Sequence, residues 1–542
     1  MSDQSKAQGS ELAWQEMVVE LVKVGAALSA EQDYRKLLKM IVDLAQRFTN
    51  ADGCTLYIKD ENEPYLRFSL VSNASLNICR GADGHDVMWP PIPLCDNLGR
   101  ENHRNVSAHC ALTGEVITIS DVYEAEFDFQ GTKDFDLTTG YRSKSMFVLP
   151  LKDHENEIIG VVQLLNAQDR RTGQVIDFKG TDVDIVVSLA SQAAISLTKR
   201  RLINSLEKLL YATVEMIGRA IDEKSPYTAG HIQRVVEITE LFVDKVNSQS
   251  EGLFADKSFS EDGKKELLLA AWLHDVGKIV TPEHVIDKAT KLETIVDRIE
   301  IISYRLELLK KEAVIRQMKA EAGADKKEAA LFEGFDSLEA YLSYLDDVQV
   351  FLEQVNGGGE FLSAEKVKKI AEVAQITFEL GGEKLPLLSE NEVENLLVQR
   401  GTLNSAERQV INKHVVVTRE MLESLPFPKK HENVPAYAGM HHERLDGAGY
   451  PLGLVKDELP FPARALAVFD VFEALTAADR PYKLGKCISE SMGIIERMAR
   501  CGELDEEVCC FLVSSGLVAE YAQKHLAARQ IDGFSWRGKA YL

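Results

Sequence analysis

Residues 267–280 read LLLAAWLHDVGKIV. Seven apolar residues run into a histidine, an aspartate and, after one more apolar residue, a glycine and a lysine. The apolar run predicts a helix buried on most of its faces. His274 and Lys278 are four apart and share a face if that helix continues. A neutral imidazole beside a charged carboxylate is costly in apolar surroundings unless something binds both. An HD pair followed by x-Gly-Lys within a buried helix is therefore a stronger signal of a bound group than the dipeptide alone.

Other residues of the same kind lie along the chain. His231 sits in SPYTAGHIQRV, on the first turn of a helix expected to be capped near Thr228. His414 lies in ERQVINKHVVVTREML, another helix. His441 and His442 open HHERLDGAGYP, where adjacent imidazoles run into a loop of two glycines and a proline. Asp470 is an acid inside the apolar stretch ALAVFDVFEALTAADRPYK. Five of the chain's twelve histidines and two aspartates thus occupy helix or turn positions where a purely structural role is awkward. Five imidazoles and two carboxylates with no thiolate suit iron, manganese, zinc or another borderline first-row ion. Seven ligands exceed one coordination sphere but fit two ions if Asp275 bridges them. Such a pair lowers the pKa of a water and clamps oxygens in phosphoryl transfer.

The first 200 residues have a different pattern. Residues 11–48 are apolar at helical spacing, and after Asn50-Ala51-Asp52-Gly53 the period shortens. CTLYIKD, YLRFSLVS, VITISDV, SMFVLPLKD and EIIGVVQLLNAQD read as strands, the last two joined by a turn at His154–Glu157. A helix follows from about Asp182. Residues 183–222 stay helix-compatible without a proline, as one long connecting helix would. Parallel packing of two copies along it would make a homodimer. Residues 283–385 also lack proline and are rich in Leu, Ile, Ala, Glu and Lys, which predicts three or four antiparallel helices inserted at about 292–400.

Bulk properties narrow the function. The chain has 542 residues, too many for one core, and a net charge of −23. Such acidity argues against binding a nucleic acid polymer through a broad surface. No apolar run reaches the roughly 18 residues needed for a membrane span, and the polar N-terminus does not have the order of a secretory signal. Eight cysteines without zinc spacing read as free thiols. A cytoplasmic protein is expected. His85, His103 and His109 lie in loop-like stretches and read as surface or structural, as do His284, His431 and His525. Arg444 is left without a role.

Two resemblances follow from these motifs. The N-terminal helix, ADGCTLYIKD, the SMFVLPLKDHENEIIGVVQLLNAQD hairpin and the exit helix resemble a GAF domain over residues 12–200. That implies a sensory module for an unidentified small molecule or protein. HDVGK at 274–278 and HHERLDGAGYP at 441–451, with YTAGHIQRV before and FDVFEALTAADRPYK after, resemble the HD-GYP family, bacterial phosphodiesterases of cyclic di-GMP. This match covers about 205–291 and 400–515. The expected fold is an α+β GAF-like domain, an antiparallel sheet flanked by helices, followed by an all-α HD-type metal-dependent phosphohydrolase domain at 205–542 with a helical insertion. By resemblance, one metal takes His231, His274, Asp275 and Asp470, and the second takes Asp275, His414, His441 and His442. Asp275 and Lys278 serve catalysis; Lys278, Tyr450, Arg480 and Lys483 contact the substrate. Tyr227 stands where some members carry a glutamate for a third metal, so two ions are expected, iron or manganese. Val415 and Thr418 replace a proline and a glycine common in the family, and Leu445 a tryptophan. The alternatives are hydrolysis of cyclic GMP-AMP at the same site, or a receptor that holds a cyclic dinucleotide without cutting it.

Overall fold

The computed structural model describes residues 22–31, 33–60, 63–81, 87–225, 230–322, 334–358, 361–477 and 485–541. The chain divides into two compact units, Met1–Leu209 and Leu210–Leu542.

In the first unit a helix, Tyr34–Thr49, buries Leu37, Leu38, Ile41, Val42 and Ala45 on one face. Asp33 caps its start by accepting from the amides of Arg35 and Lys36, and Asn50 ends it in the left-handed region at φ 48°. The chain then enters β1 (Ala51–Lys59) and β2 (Tyr65–Asn73), with β3 (Ile78–Arg80) and β4 (Ile92–Pro93) at the sheet's margin. β5 (Ile117–Ile119), β6 (Met146–Lys152), β7 (Ile158–Gln168) and β8 (Val175–Ile176) complete the antiparallel sheet, whose main order is β3-β2-β1-β7-β6-β5. β6 and β7 form the expected hairpin, with Asn156 at φ 64° and Asp153 accepting from the amides of Glu155 and Glu157.

The strands alternate. Phe147, Leu149 and Leu151 join the core under the Tyr34–Thr49 helix, whereas Met146 and Val148 face a second core with Val106, Ala108 and Cys110. The strands absent from the sequence reading, β3, β4 and β8, are two or three residues long and too short for a period. Two helices, Val106–Thr113 and Gln130–Thr139, were also unmarked, and the second is mostly polar.

The helix expected from about Asp182 is a single element, Gly180–Asp222, of 43 residues. In the second unit the helices His231–Ser248, Glu261–Leu273 and Phe461–Thr476 meet over a core built on Phe242, Phe254, Phe469 and Phe511. Ser405–Glu423 packs against the 3-10 turn Val276–Val280, and three shorter helices and a hairpin of Phe534–Trp536 with Lys539–Tyr541 close the chain. Between them, the stretch expected to be purely helical has its own core of Leu306, Leu309, Leu345, Val348 and Ile370. It also holds a hairpin, β9 (Thr377–Leu380) with β10 (Glu383–Pro386), that the helical reading passed over. Gly381 and Gly382, both at positive φ, make its turn. The two ends of this stretch are tied by Lys288, buried, which donates to both Glu407 oxygens at 2.7 Å and to Asn395 at 2.9 Å.

Among the described residues no helix is long and apolar enough to cross a membrane. All eight cysteines are free. His431, expected at the surface, is buried beside the Tyr211 hydroxyl at 3.2 Å, because the chain around it packs on the Glu261–Leu273 helix. Arg444 is held by Asp446 at 2.6 Å and Glu503 at 3.3 Å.

Candidate metal centre

The seven residues singled out for metal come from five separate segments, and their side chains converge. His274 caps the end of Glu261–Leu273, and Asp275 begins the 3-10 turn. His231 is the first residue of its helix, after Gly230 rather than a side-chain cap. Thr228 and Tyr227 lie outside the described residues. His414 is inside Ser405–Glu423, His441 and His442 follow the short helix Val434–Ala438, and Asp470 lies in Phe461–Thr476.

Asp275 is the centre of the group, and its two oxygens face different neighbours. Oδ2 lies 3.5 Å from His231 Nε2, 3.3 Å from His274 Nε2 and 2.6 Å from Lys278 Nζ. Oδ1 lies 3.3 Å from His414 Nε2 and 3.9 Å from His441 Nε2. Asp470 repeats the division, with Oδ1 3.2 Å from His231 Nε2 and Oδ2 4.0 Å from His442 Nδ1. Donor atoms of His231, His274 and Asp275 lie within 4.8 Å of one another, as do those of His414, His441 and His442.

The histidines are aimed by their other nitrogens. Nδ1 of His274, His414 and His441 contacts the carbonyl three residues back, on Ala271, Ile411 and Ala438, at 2.7, 2.5 and 2.6 Å. A carbonyl only accepts, so Nδ1 carries the proton and Nε2 presents its lone pair. Those three Nε2 atoms are buried without a hydrogen-bond partner. A buried polar atom left so costs free energy, and three aimed at one carboxylate fit a cation. His231 differs: its Nδ1 meets the Glu473 carboxylate, which also takes Arg234 at 2.5 Å.

The charges follow the geometry. Burial pushes the Asp275 carboxyl up, but Lys278 and the imidazoles hold it well below the usual range. Burial also pushes His231 down, yet Glu473, Asp275 and Asp470 carry it well above the ordinary value. His441 falls well below it through burial and its imidazole neighbours, and burial brings His442 to about 4. His441 and His442 are thus neutral and able to ligate at ordinary pH, whereas His231 carries the positive charge that a cation would replace.

Packing explains the spacing of HDVGK. A Cβ at Gly277 would lie 2.0 Å from the His414 carbonyl oxygen, so only glycine allows the backbones to meet there. Thr418 completes the joint: its hydroxyl accepts from the Gly277 amide at 2.9 Å and donates to the His274 carbonyl at 3.1 Å. The residue read as a departure from the family is therefore the bond between two ligand-bearing segments. The same joint tightens the chain into a 3-10 turn, so Lys278 does not share an α-helical face with His274. It reaches Asp275 instead.

The loop behind the paired histidines is also built closely. A Cβ at Gly449 would lie 2.2 Å from the Arg444 amide nitrogen. Buried Glu443 accepts from the amides of Leu452 at 2.6 Å and Leu454 at 3.0 Å. The Tyr450 ring lies over His442, centroids 4.9 Å apart and planes at 30°. Arg480 and Lys483 lie outside the described residues. Sequence reading missed Glu443 and Glu473. Glu473 carried a usable signal, an acid one turn from Asp470 in the same apolar helix.

Comparison with known proteins agrees with this architecture. Residues 33–197 match the GAF domain family, and residues 228–352 and 361–508 match two HD domain families. The chain carries an N-terminal GAF domain followed by a helical HD region, and HD domains are metal-dependent phosphohydrolases. It is 38% identical over 134 residues to 3'3'-cGAMP-specific phosphodiesterase 1 of Vibrio cholerae, covering 25% of this chain and 30% of the relative. It is 30% identical to the cyclic di-GMP phosphodiesterase response regulator RpfG of Xanthomonas campestris pv. campestris, over 33% and 46%. With a cyclic di-GMP phosphodiesterase of Thermotoga maritima the identity is 28%, over 36% and 52%. The chain thus spans about half or less of the length of these relatives.

Proposed function

We propose that the chain is a metal-dependent phosphodiesterase that hydrolyses cyclic di-GMP to the linear dinucleotide, with GMP as a further product. In this reading residues 12–200 form the sensory domain, 183–222 the connecting helix and 205–542 the catalytic domain, in a cytoplasmic protein. The observation that carries it is the division of Asp275: one carboxylate oxygen toward His231 and His274, the other toward His414 and His441. A single ion needs no such division, and two ions sharing a carboxylate do. Five imidazoles and two carboxylates suit iron or manganese. Bound there, the pair would activate a water at neutral pH and polarise the phosphoryl oxygens.

The chain's own residues have distinct tasks. The Nδ1 contacts fix each imidazole's tautomer and aim. Lys278, ion-paired to Asp275, sets a positive charge beside the place where a phosphate oxygen must lie. Tyr450, over the partly exposed His442, lines the substrate side, and Arg480 and Lys483 complete the grip on phosphate or base.

Cyclic GMP-AMP is the second reading, favoured by the first relative's name. The ligands see phosphate and not base, so they serve either substrate. Elemental analysis of anaerobically purified protein, with product analysis on both dinucleotides, tests both readings. Two iron or manganese ions per chain and a linear product from cyclic di-GMP are expected. Product from cyclic GMP-AMP alone moves the assignment to the second reading. No metal and no product from either leaves a non-catalytic receptor.

The working form is a homodimer along the Gly180–Asp222 helix. Ile195, Lys199, Leu202, Leu206, Leu209, Thr213, Met216 and Ala220 recur at alternating steps of four and three, and all are exposed. A 3.5-residue repeat held over about 38 Å suits another helix rather than a flat surface. Lys199 is the one charge in the seam, and a single lysine at such a position fixes register. Thr198, Ser205 and Ala212 beside the seam are small and uncharged. In a parallel pair, Leu202→Cys and Leu209→Cys each cross-link to their own copy on oxidation, and Lys208→Cys does not. An antiparallel pair cannot link both.

A further inference from the structure

Three contacts of one short stretch, Gly218 to Lys224, end beside the candidate ligands. A Cβ at Gly218 would lie 2.6 Å from the Trp272 ring and 3.1 Å from the Trp272 carbonyl oxygen. The connecting helix therefore presses directly on the helix that ends in His274. Four residues on, the carboxylate of Asp222, the last helical residue, accepts from the Ile232 amide at 3.1 and 3.3 Å. Ile232 follows His231, and the His231 helix has no side-chain cap from Gly230. Asp222 supplies that cap from another element. Two residues further, Lys224 donates to the carbonyls of Lys278, Ile279 and Thr281 at 2.9, 2.6 and 2.7 Å. An ammonium has three donors, and these three bonds close the 3-10 turn that carries Lys278.

Neither bonded contact is needed for burial alone. Asp222 is a buried carboxylate, and taking its charge out of water carries a cost. The ammonium of Lys224 is spent on three neutral carbonyls. Hydrophobic residues of similar size would pack at both places without that penalty. What the polar pair gives is direction: it fixes the backbone under His231 and under Lys278 to the end of a helix that starts at Gly180.

We propose that Asp222 and Lys224 are positioning residues, with Gly218 as their fulcrum, through which the end of the connecting helix sets His231 and Lys278. Asp222 governs metal retention on the His231 side, and Lys224 governs the placement of Lys278 during turnover. The inference rests on the two-ion phosphodiesterase reading.

The test uses the full chain, manganese as the probe metal and cyclic di-GMP as the substrate. Asp222→Asn keeps an acceptor oxygen but loses the charge, and should weaken the tighter manganese site about tenfold, the lower end for a group behind a metal ligand. Lys224→Met should lower kcat about tenfold with manganese affinity unchanged, and Lys224→Arg should restore part of it. Gly218→Ala, which displaces the helix from Trp272, should show both defects. Thermal unfolding of each variant identifies any loss that is only misfolding. Folded Asp222→Asn and Lys224→Met proteins with the wild-type manganese isotherm and kcat would overturn the inference. If the wild-type chain binds no manganese, the two-ion reading fails instead.

Discussion

The two sides of Asp275 are built from different materials. On the Oδ2 side, His231 stands between Asp275 and Asp470 and is backed by Glu473, with Lys278 close by. On the Oδ1 side stand three imidazoles, two backed only by backbone carbonyls. Both sides share the carboxylates of Asp275 and Asp470; the first adds Glu473, and the second adds only neutral imidazoles. A carboxylate behind a ligating imidazole raises its basicity more than a carbonyl does. The first side should therefore hold its ion more tightly and lose it last. His442 keeps 30% of its side-chain exposure, whereas His274, His414 and His441 are closed off. His442 is therefore the most open of these imidazoles, and the proposed substrate approach is from its side.

The harshest test removes what the two sides share. Asp275→Asn takes the charge from both, so elemental analysis should find neither ion at stoichiometry, and hydrolysis should fall to background. One fully retained ion would mean that Asp275 serves a single side and that the division of its oxygens has no chemical consequence.

Glu473→Gln should act on one side only. The amide keeps the shape and still meets His231, but the negative charge is gone. By the usual effect of a group behind a ligand, the tighter of two manganese affinities should weaken about 10- to 100-fold, and the weaker should stay within error. The effect is read by titration calorimetry on metal-free protein. Equal weakening of both sites would erase the contrast between the side with Glu473 and the side without it.

How much of this was legible in the sequence depended on the range of each interaction. The seven convergent residues were readable because each broke a local rule, a polar group in an apolar helical context or, for His441 and His442, two adjacent imidazoles at the start of a loop. In the first unit β1, β2, β5, β6 and β7 were readable from their period, and the GAF and HD resemblances came from contiguous motifs. The joint of Gly277 with Thr418, the backing of His231 by Glu473 and the burial of His431 all depend on residues more than a hundred positions apart. No local pattern encodes such pairs. The β9–β10 hairpin was missed for the opposite reason: two glycines marked it, but the helix-rich composition around them outweighed four-residue strands.

The smallest effect probes the substrate side. Tyr450 contributes a ring over His442 and a hydroxyl whose acidity burial and the nearby carboxylates suppress, so it stays protonated and can donate. Tyr450→Phe keeps the ring, the loop and the Glu443 bonds to Leu452 and Leu454. The metals should be untouched. Only a hydrogen bond to bound dinucleotide is lost, which contributes about 0.5–1.5 kcal/mol net, or a rise in KM of about two- to tenfold. Tyr450→Ala removes the ring as well and should raise KM further while sparing the Oδ2-side ion. If Tyr450→Phe instead lowers kcat with KM unchanged, the hydroxyl acts in the chemical step, and the Oδ1 side of Asp275 takes part in bond breaking as well as in holding the substrate.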